Sequence, residues 1–188
     1  MRPEFIALAG GAPALPVAGA AQILSKDHVL VNPTNHNAKS LAADLQVAAR
    51  TLGLQLHVLH ASTERDFDSA FAALAELRVG ALVMGADVFF LSRSTLLGAL
   101  SVGYAMPAIF HYRPFAAAGG LMSYGTDETE YYRPIGNYTG RILKGEKSSE
   151  LPVQQATKVE LIINLKTARA LGIGVLSTLL ARADEVIE

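Results

Sequence analysis

HVLVNPTNHNAKSLAADLQVAARTLGLQLHVLH, residues 28–60, is the stretch that decides the fold. His28 to Val31 is a short apolar run that Asn32-Pro33-Thr34-Asn35 terminates, as a strand ends in a turn. Leu41, Leu45, Ala48 and Leu52 then recur at i, i+4, i+7 and i+11, along one helix face. Asn35 or Asn37 can cap that helix and Gly53 can stop it. Leu54 to His60 reads as a second strand. A helix between two such strands makes a βαβ unit, whose crossover sets the strands parallel.

The alternation continues outward. Thr63 caps a helix carrying Phe67, Phe71 and Leu74 on one side, with Asp66 in its first turn, where the helix dipole favours a carboxylate. Gly80 closes it, and Ala81 to Met84 forms strand three, ending toward Asp87. A helix over Ser92 to Tyr104, strand four over Pro107 to His111, a helical turn near Phe115 and strand five over Leu121 to Tyr124 follow. Asp127 caps a long helix to Lys144, which Pro134 should kink. Val159 to Asn164 is a sixth strand, and Leu165 to Leu171 a helix stopped by Gly172. The class is α/β: an open doubly wound parallel sheet with helices on both faces. Such sheets bind ligands beyond the carboxyl ends of their strands.

The amino-terminal segment is different. No charge occurs from Phe5 to Leu24, and Gly10-Gly11, Pro13 and Pro16 make the run a poor helix. Arg2, the apolar Phe5 to Leu15 and the small-x-small Ala18-Gly19-Ala20 give it the form of a signal peptide over residues 1–21. Residues 22–27 join it to the strand–helix pattern of 28–188, and export to the periplasm is expected.

Composition excludes several classes. At 51% hydrophobic and 18% charged residues, the chain has the apolar surface to offset its entropy on folding. A formal net charge of -1 lacks the basic excess a general nucleic-acid binder needs. Without cysteine there is no disulfide, thiolate metal site or cysteine nucleophile. Neither HExxH, G-x-S-x-G, a phosphate loop nor a dinucleotide fingerprint occurs. No motif calls for a cofactor or a metal.

The strand ends hold short polar side chains interleaved with aromatics, a mix suited to a small polar ligand with an apolar or ring portion. Asn32, Thr34 and Asn35 follow strand one; Asp87, Phe89 and Phe90 follow strand three. His111, Tyr112 and Arg113 follow strand four; Ser123, Tyr124, Gly125, Thr126 and Asp127 close strand five. Asp87 suits a ligand ammonium and Arg113 a ligand carboxylate. Asn35 and Asp127 also read as plain helix caps, Phe89 and Phe90 as a seal on the core, and Arg113 as a solvated surface residue. The candidate contacts are Asn35, Asp87, Phe89, Tyr112, Arg113, Ser123 and Tyr124. Binding is favoured over turnover; the alternatives are a small exported enzyme using Asp87 with His111 or Ser123, and a remnant without function.

Residues 28–188 resemble the carboxyl-terminal part of the ABC-transporter substrate-binding protein family with a type I periplasmic-binding-protein fold. The similar stretches are VLVNPTN (29–35), AFAAL (70–74), FAAAGGLMSYG (115–125), ILKG (142–145), LPVQQ (151–155), INLKTA (163–168) and ARADEVI (181–187). The resemblance implies capture of a small organic solute, of which an amino acid is one candidate, and delivery to an ABC permease in the membrane. It favours Asn35, Asp87, Tyr112 and Tyr124 for ligand contact. Members of the family trap ligand between two lobes. Here the resemblance implies that most of the amino-terminal lobe is missing, so that capture and docking are impaired.

Overall fold

The computed structural model describes residues 26–77, 79–153 and 158–188. The expected signal segment lies outside them. Among the described residues, seven strands and eight helices follow in the order β1 (Lys26–Val31), α1 (Ala38–Thr51), β2 (Gln55–His60), α2 (Glu64–Glu76), β3 (Leu82–Met84), α3 (Val88–Ser92), α4 (Ser94–Gly103), β4 (Ala108–Phe110), α5 (Arg113–Ala117), β5 (Met122–Thr126), α6 (Glu128–Leu143), β6 (Val159–Asn164), α7 (Leu165–Ala170), α8 (Ser177–Leu180) and β7 (Glu185–Ile187). The sheet order is β2-β1-β3-β4-β5-β6-β7.

Period-two alternation divides the core between the two faces of the sheet. Leu30, Leu82, Met84 and Phe110 point to one face and pack with Phe67, Phe71, Phe90, Leu97 and Phe115. Val29, Val31, Val83 and Ile109 point to the other, against Leu45, Ala49, Met122 and Ile163. Both faces are apolar along each central strand, as a doubly covered sheet requires. Thr63 and Asp66 form a reciprocal capping box at the start of α2.

The fold class is as expected, with one correction: the sheet is mixed. β1 to β5 run parallel, but β6 pairs antiparallel to β5, with Ser123 opposite Ile162 and Gly125 opposite Glu160. β7 then runs parallel to β6. A parallel return needs a crossover helix packed on the sheet. α6 is not so packed: none of its described residues is buried. The chain therefore enters β6 from the end at which β5 left.

Smaller corrections have local causes. The helix expected over Ser92 to Tyr104 is α4, and a further short helix that was not expected, α3, precedes it, the two meeting at Arg93. Asp87 starts α3 by accepting hydrogen bonds from the Phe89 and Phe90 amides. α6 runs on through Pro134 as one helix. The strand β7 and the short α8 carry too little apolar pattern to be anticipated.

Candidate functional site

The sheet order reverses between β1 and β3, so their carboxyl ends form the switch point where such sheets bind ligands. Asp87 organises it. Its Oδ1 accepts from the Phe89 amide at 2.9 Å, the Phe90 amide at 3.3 Å and the Asn32 side-chain amide at 3.2 Å. Its Oδ2 accepts from Asn35 Nδ2 at 2.8 Å. Asn32 is buried and fixed in orientation, because its own oxygen accepts from the Thr34 amide and hydroxyl. Asn35 is fixed likewise by the Asn37 amide, at 2.9 Å. Asp87, expected to meet a ligand ammonium, thus caps α3 and holds the side chains of Asn32 and Asn35. Phe89 stacks on Phe67 with centroids 5.3 Å apart, and the Arg93 guanidinium lies over its ring.

A second polar locus lies beyond β4 and β5. His111, Arg113, Ser123, Asp127, Thr129 and Glu160 are among the residues lining a cleft of about 230 Å³. Ser123 and Gly125 face into it because they pair with Ile162 and Glu160 on the same side of the sheet. The absent side chain of Gly125 is essential: a Cβ there would stand 1.9 Å from the His111 carbonyl oxygen. That close approach seats His111 in the wall of the cleft. Its ring meets Phe110 edge-on at 4.4 Å, and its buried Nδ1 makes no hydrogen bond. Burial holds its pKa below the ordinary imidazole value, so it is neutral at pH 7.

Charge is distributed in pairs. The amide of Glu130 donates to Asp127 at 2.9 Å and holds that carboxyl below its usual range. Glu160 takes Lys158 at 2.6 Å. Arg113 is bidentate on Glu185 of β7, at 2.9 and 2.5 Å, which raises its pKa. The guanidinium expected to await a ligand carboxylate already holds one of the protein's own.

The sequence candidates therefore divide. Asn35, Asp87 and Phe89 come together at β1 and β3. Tyr112, Arg113 and Ser123 gather with His111 at the cleft. Tyr124 packs toward the opposite face of the sheet, with the cluster around Met122. The enzyme alternative loses its dyads, since Asp87 is bonded to Asn32, Asn35 and two amides, whereas His111 Nδ1 is bonded to nothing. Ser123 lines the cleft, of which Asp87 is not a wall. Glu160 and Ile162 were not anticipated; only the antiparallel register brings them in. Among the described residues, no three His, Cys, Asp or Glu side chains are placed to hold a metal ion.

Two stretches that carried the family resemblance meet behind the cleft. Asn164 Nδ2 donates to the Ala116 carbonyl at 2.8 Å, while its oxygen caps α7 through the Thr167 amide at 2.9 Å. The Thr167 hydroxyl donates to the Gly119 carbonyl at 3.0 Å. Gly119 has φ of +113°, a conformation open to glycine alone without strain.

A family model described as ABC transporter substrate binding protein matches residues 24–187. No curated protein matches the chain. Among solved structures, it is similar to a conserved domain protein from Vibrio cholerae O1 biovar El Tor, with 27% identity and a TM-score of 0.77 over 87% of this chain and 55% of that one. Its fold is also that of an ABC domain in complex with L-Trp from Streptococcus pneumoniae, with 21% identity and a TM-score of 0.77 over 87% and 55% of the two chains. A ligand-free, open substrate binding protein with adhesive properties from Clostridium difficile is similar at 20% identity and a TM-score of 0.63, over 87% and 54%. The chain spans about half the length of the solved structures that it matches.

Proposed function

Because the chain belongs to the ABC transporter substrate binding protein family, we propose that it binds a small organic solute of the amino-acid class outside the cytoplasmic membrane, for delivery to an ABC permease. In this reading residues 1–21 are an export signal to the periplasm, 22–27 a joint, and 28–188 one lobe of a site that two lobes complete. The lobe supplies one wall of that site. The observation that carries the reading is the cleft at β4 and β5, where Ser123, Asp127, Thr129 and the neutral ring of His111 converge.

At about 230 Å³ the cleft falls below the roughly 300–1,000 Å³ of complete ligand pockets, as suits one wall of a larger site. Asn35 and Asp87 at the neighbouring strand ends offer a second anchor, with Phe89 and Tyr112 as aromatic contacts and Arg113 at the rim; Tyr124, turned to the opposite face of the sheet, is not among the proposed contacts. The Streptococcus pneumoniae relative, with its bound L-Trp, makes an aromatic amino acid the first solute to try.

Thermal-shift titration and calorimetry with amino acids, small carboxylates and small amines test this. A bound solute raises Tm by mass action, and His111→Ala lowers the affinity. A flat response to every solute, together with turnover of an ester or phosphate substrate, overturns the reading.

A further inference from the structure

Ser123 stands in a row of side chains that crosses four strands. Register sets Phe110 of β4 beside it on one side and Ile162 of β6 on the other, with Glu185 of β7 beyond Ile162. Side chains level with one another across a sheet share a face. The Ser123 hydroxyl is therefore flanked by an aromatic ring and a branched alkyl group. Ser123 is only 2% exposed, yet it lines the cleft. Among the described residues, none is hydrogen-bonded to its side chain. A buried polar group that the protein leaves without a partner calls for one from outside.

The charges around the cleft are engaged with the protein itself. Both oxygens of Glu185 hold Arg113, Lys158 holds Glu160, and the Glu130 amide holds Asp127. His111 is neutral at pH 7. A solute carboxylate would thus find the cations Arg113 and Lys158 already taken. A solute ammonium would meet the amino end of α6 beside Asp127, where the helix dipole opposes a positive charge. Either ion would also exchange water for the apolar neighbours of Ser123, which costs far more than the same transfer of an uncharged polar group.

We propose that Ser123 is a specificity-determining residue, whose hydroxyl bonds an uncharged end of the solute, a hydroxyl, an amide or a ring N–H, and that the cleft admits this end in preference to a charged one. The proposal rests on the solute-binding reading above and adds which part of the solute this lobe receives. A serine hydroxyl both donates and accepts, so it serves each of the three groups. At about 230 Å³ the cleft exceeds a cavity of roughly 150 Å³ that holds benzene, so a ring with one small substituent fits. The charged ends of an amino acid would stay outside the cleft.

Four ligands of similar size separate the cases: benzamide and benzyl alcohol are uncharged, benzoate is an anion and benzylammonium a cation. Each is titrated into the purified chain at pH 7, with binding read by calorimetry and from the backbone amide resonances of Ser123 and Gly125. The parent is expected to bind the two uncharged ligands about tenfold or more tighter than the two ions. Ser123→Ala is expected to weaken benzamide about two- to tenfold and to leave benzoate unchanged. Its Tm is expected at or above that of the parent, because the hydroxyl holds nothing inside the protein. Glu185→Gln removes the counter-charge of Arg113 and is expected to raise benzoate affinity about tenfold. Four results overturn the proposal: an ion that binds as tightly as benzamide, a Ser123→Ala protein that keeps the parent's benzamide affinity or melts several degrees lower, a Glu185→Gln protein with no gain for benzoate, and silence toward all four ligands. If an amino acid still binds the parent, such a result overturns this proposal alone; a parent silent toward every solute overturns the solute-binding reading with it.

Discussion

Replacing Asp87 tests the architecture of the switch point. Asp87→Ala removes one acceptor group that serves four donors. Loss of the cap on α3 costs about 1 kcal/mol. Asn32 is only 7% exposed, and its Nδ2 loses its acceptor, for about 1–3 kcal/mol. The amide cannot turn over to compensate, because its oxygen holds both Thr34 donors. Asn35 is half-exposed, and water replaces its lost bond at little cost. The sum is about 2–4 kcal/mol, or roughly 4–16 °C in Tm for a domain of this length. Asp87→Asn behaves differently. Its oxygen can serve Asn32 and both helix amides, but its new NH2 group faces Asn35 Nδ2 as donor against donor. Asn35 can turn over only by surrendering its 2.9 Å bond from the Asn37 amide. The cost is about 1 kcal/mol. In the double variant Asn35→Ala/Asp87→Asn the opposing donor is gone, so the two effects are less than additive. Thermal unfolding by circular dichroism at pH 7 reads the parent, Asn35→Ala, the two Asp87 variants and the double variant. An Asp87→Ala protein within about 1 °C of the parent, or an Asp87→Asn protein no better than it, would refute the reasoning.

Three further changes have determinate outcomes. Gly125→Ala drives a Cβ to 1.9 Å from a backbone carbonyl that no rotamer change can clear; it should cost about 1–3 kcal/mol or more and weaken solute binding, whereas Gly53→Ala, with nothing within 4 Å but a φ of +69°, should leave binding intact. Asn164→Ala leaves the Ala116 carbonyl and the Thr167 amide unbonded in the interior, and chemical denaturation should register a loss of about 2–3 kcal/mol. His111 is held below its ordinary pKa by burial, so as pH falls from about 6.5 the unfolded chain takes up a proton first. The stability from its neutral form is full above that pH and lost as pH falls through the folded value. Tm measured from pH 8 to 5 should therefore decline more steeply for the parent than for His111→Gln. The carboxyls of Asp66 and Asp127, lowered by backbone hydrogen bonds, act below about pH 4 and leave that window clear.

The strands were legible where two faces had to be apolar at once. Leu82 to Met84 and Ala108 to Phe110 are short, but uninterrupted burial leaves a run that nothing else explains. Caps were legible because Thr63 and Asp127 act on amides two or three residues away. Strand direction was not: Val159 to Asn164 reads the same in either sense, and only the failure of α6 to pack on the sheet decides it. That failure is invisible in turn, since an amphipathic helix has one periodicity whether its apolar side is covered or bare. The site was half legible. Positions at strand ends were found, but whether Arg113 waits for a ligand or holds Glu185 depends on a strand that starts 72 residues later.

The reversal at β6 also decides where the molecule can be held. Register puts Ile187 level with Asn164, at the foot of β6, and Lys26 at the foot of β1, both on the margin away from the cleft. A surface tether or a fluorescent partner fused after Glu188 would thus hang below the sheet and leave the strand tips facing solution. For a sensor built on this chain, immobilisation through that end orients every copy with its mouth outward.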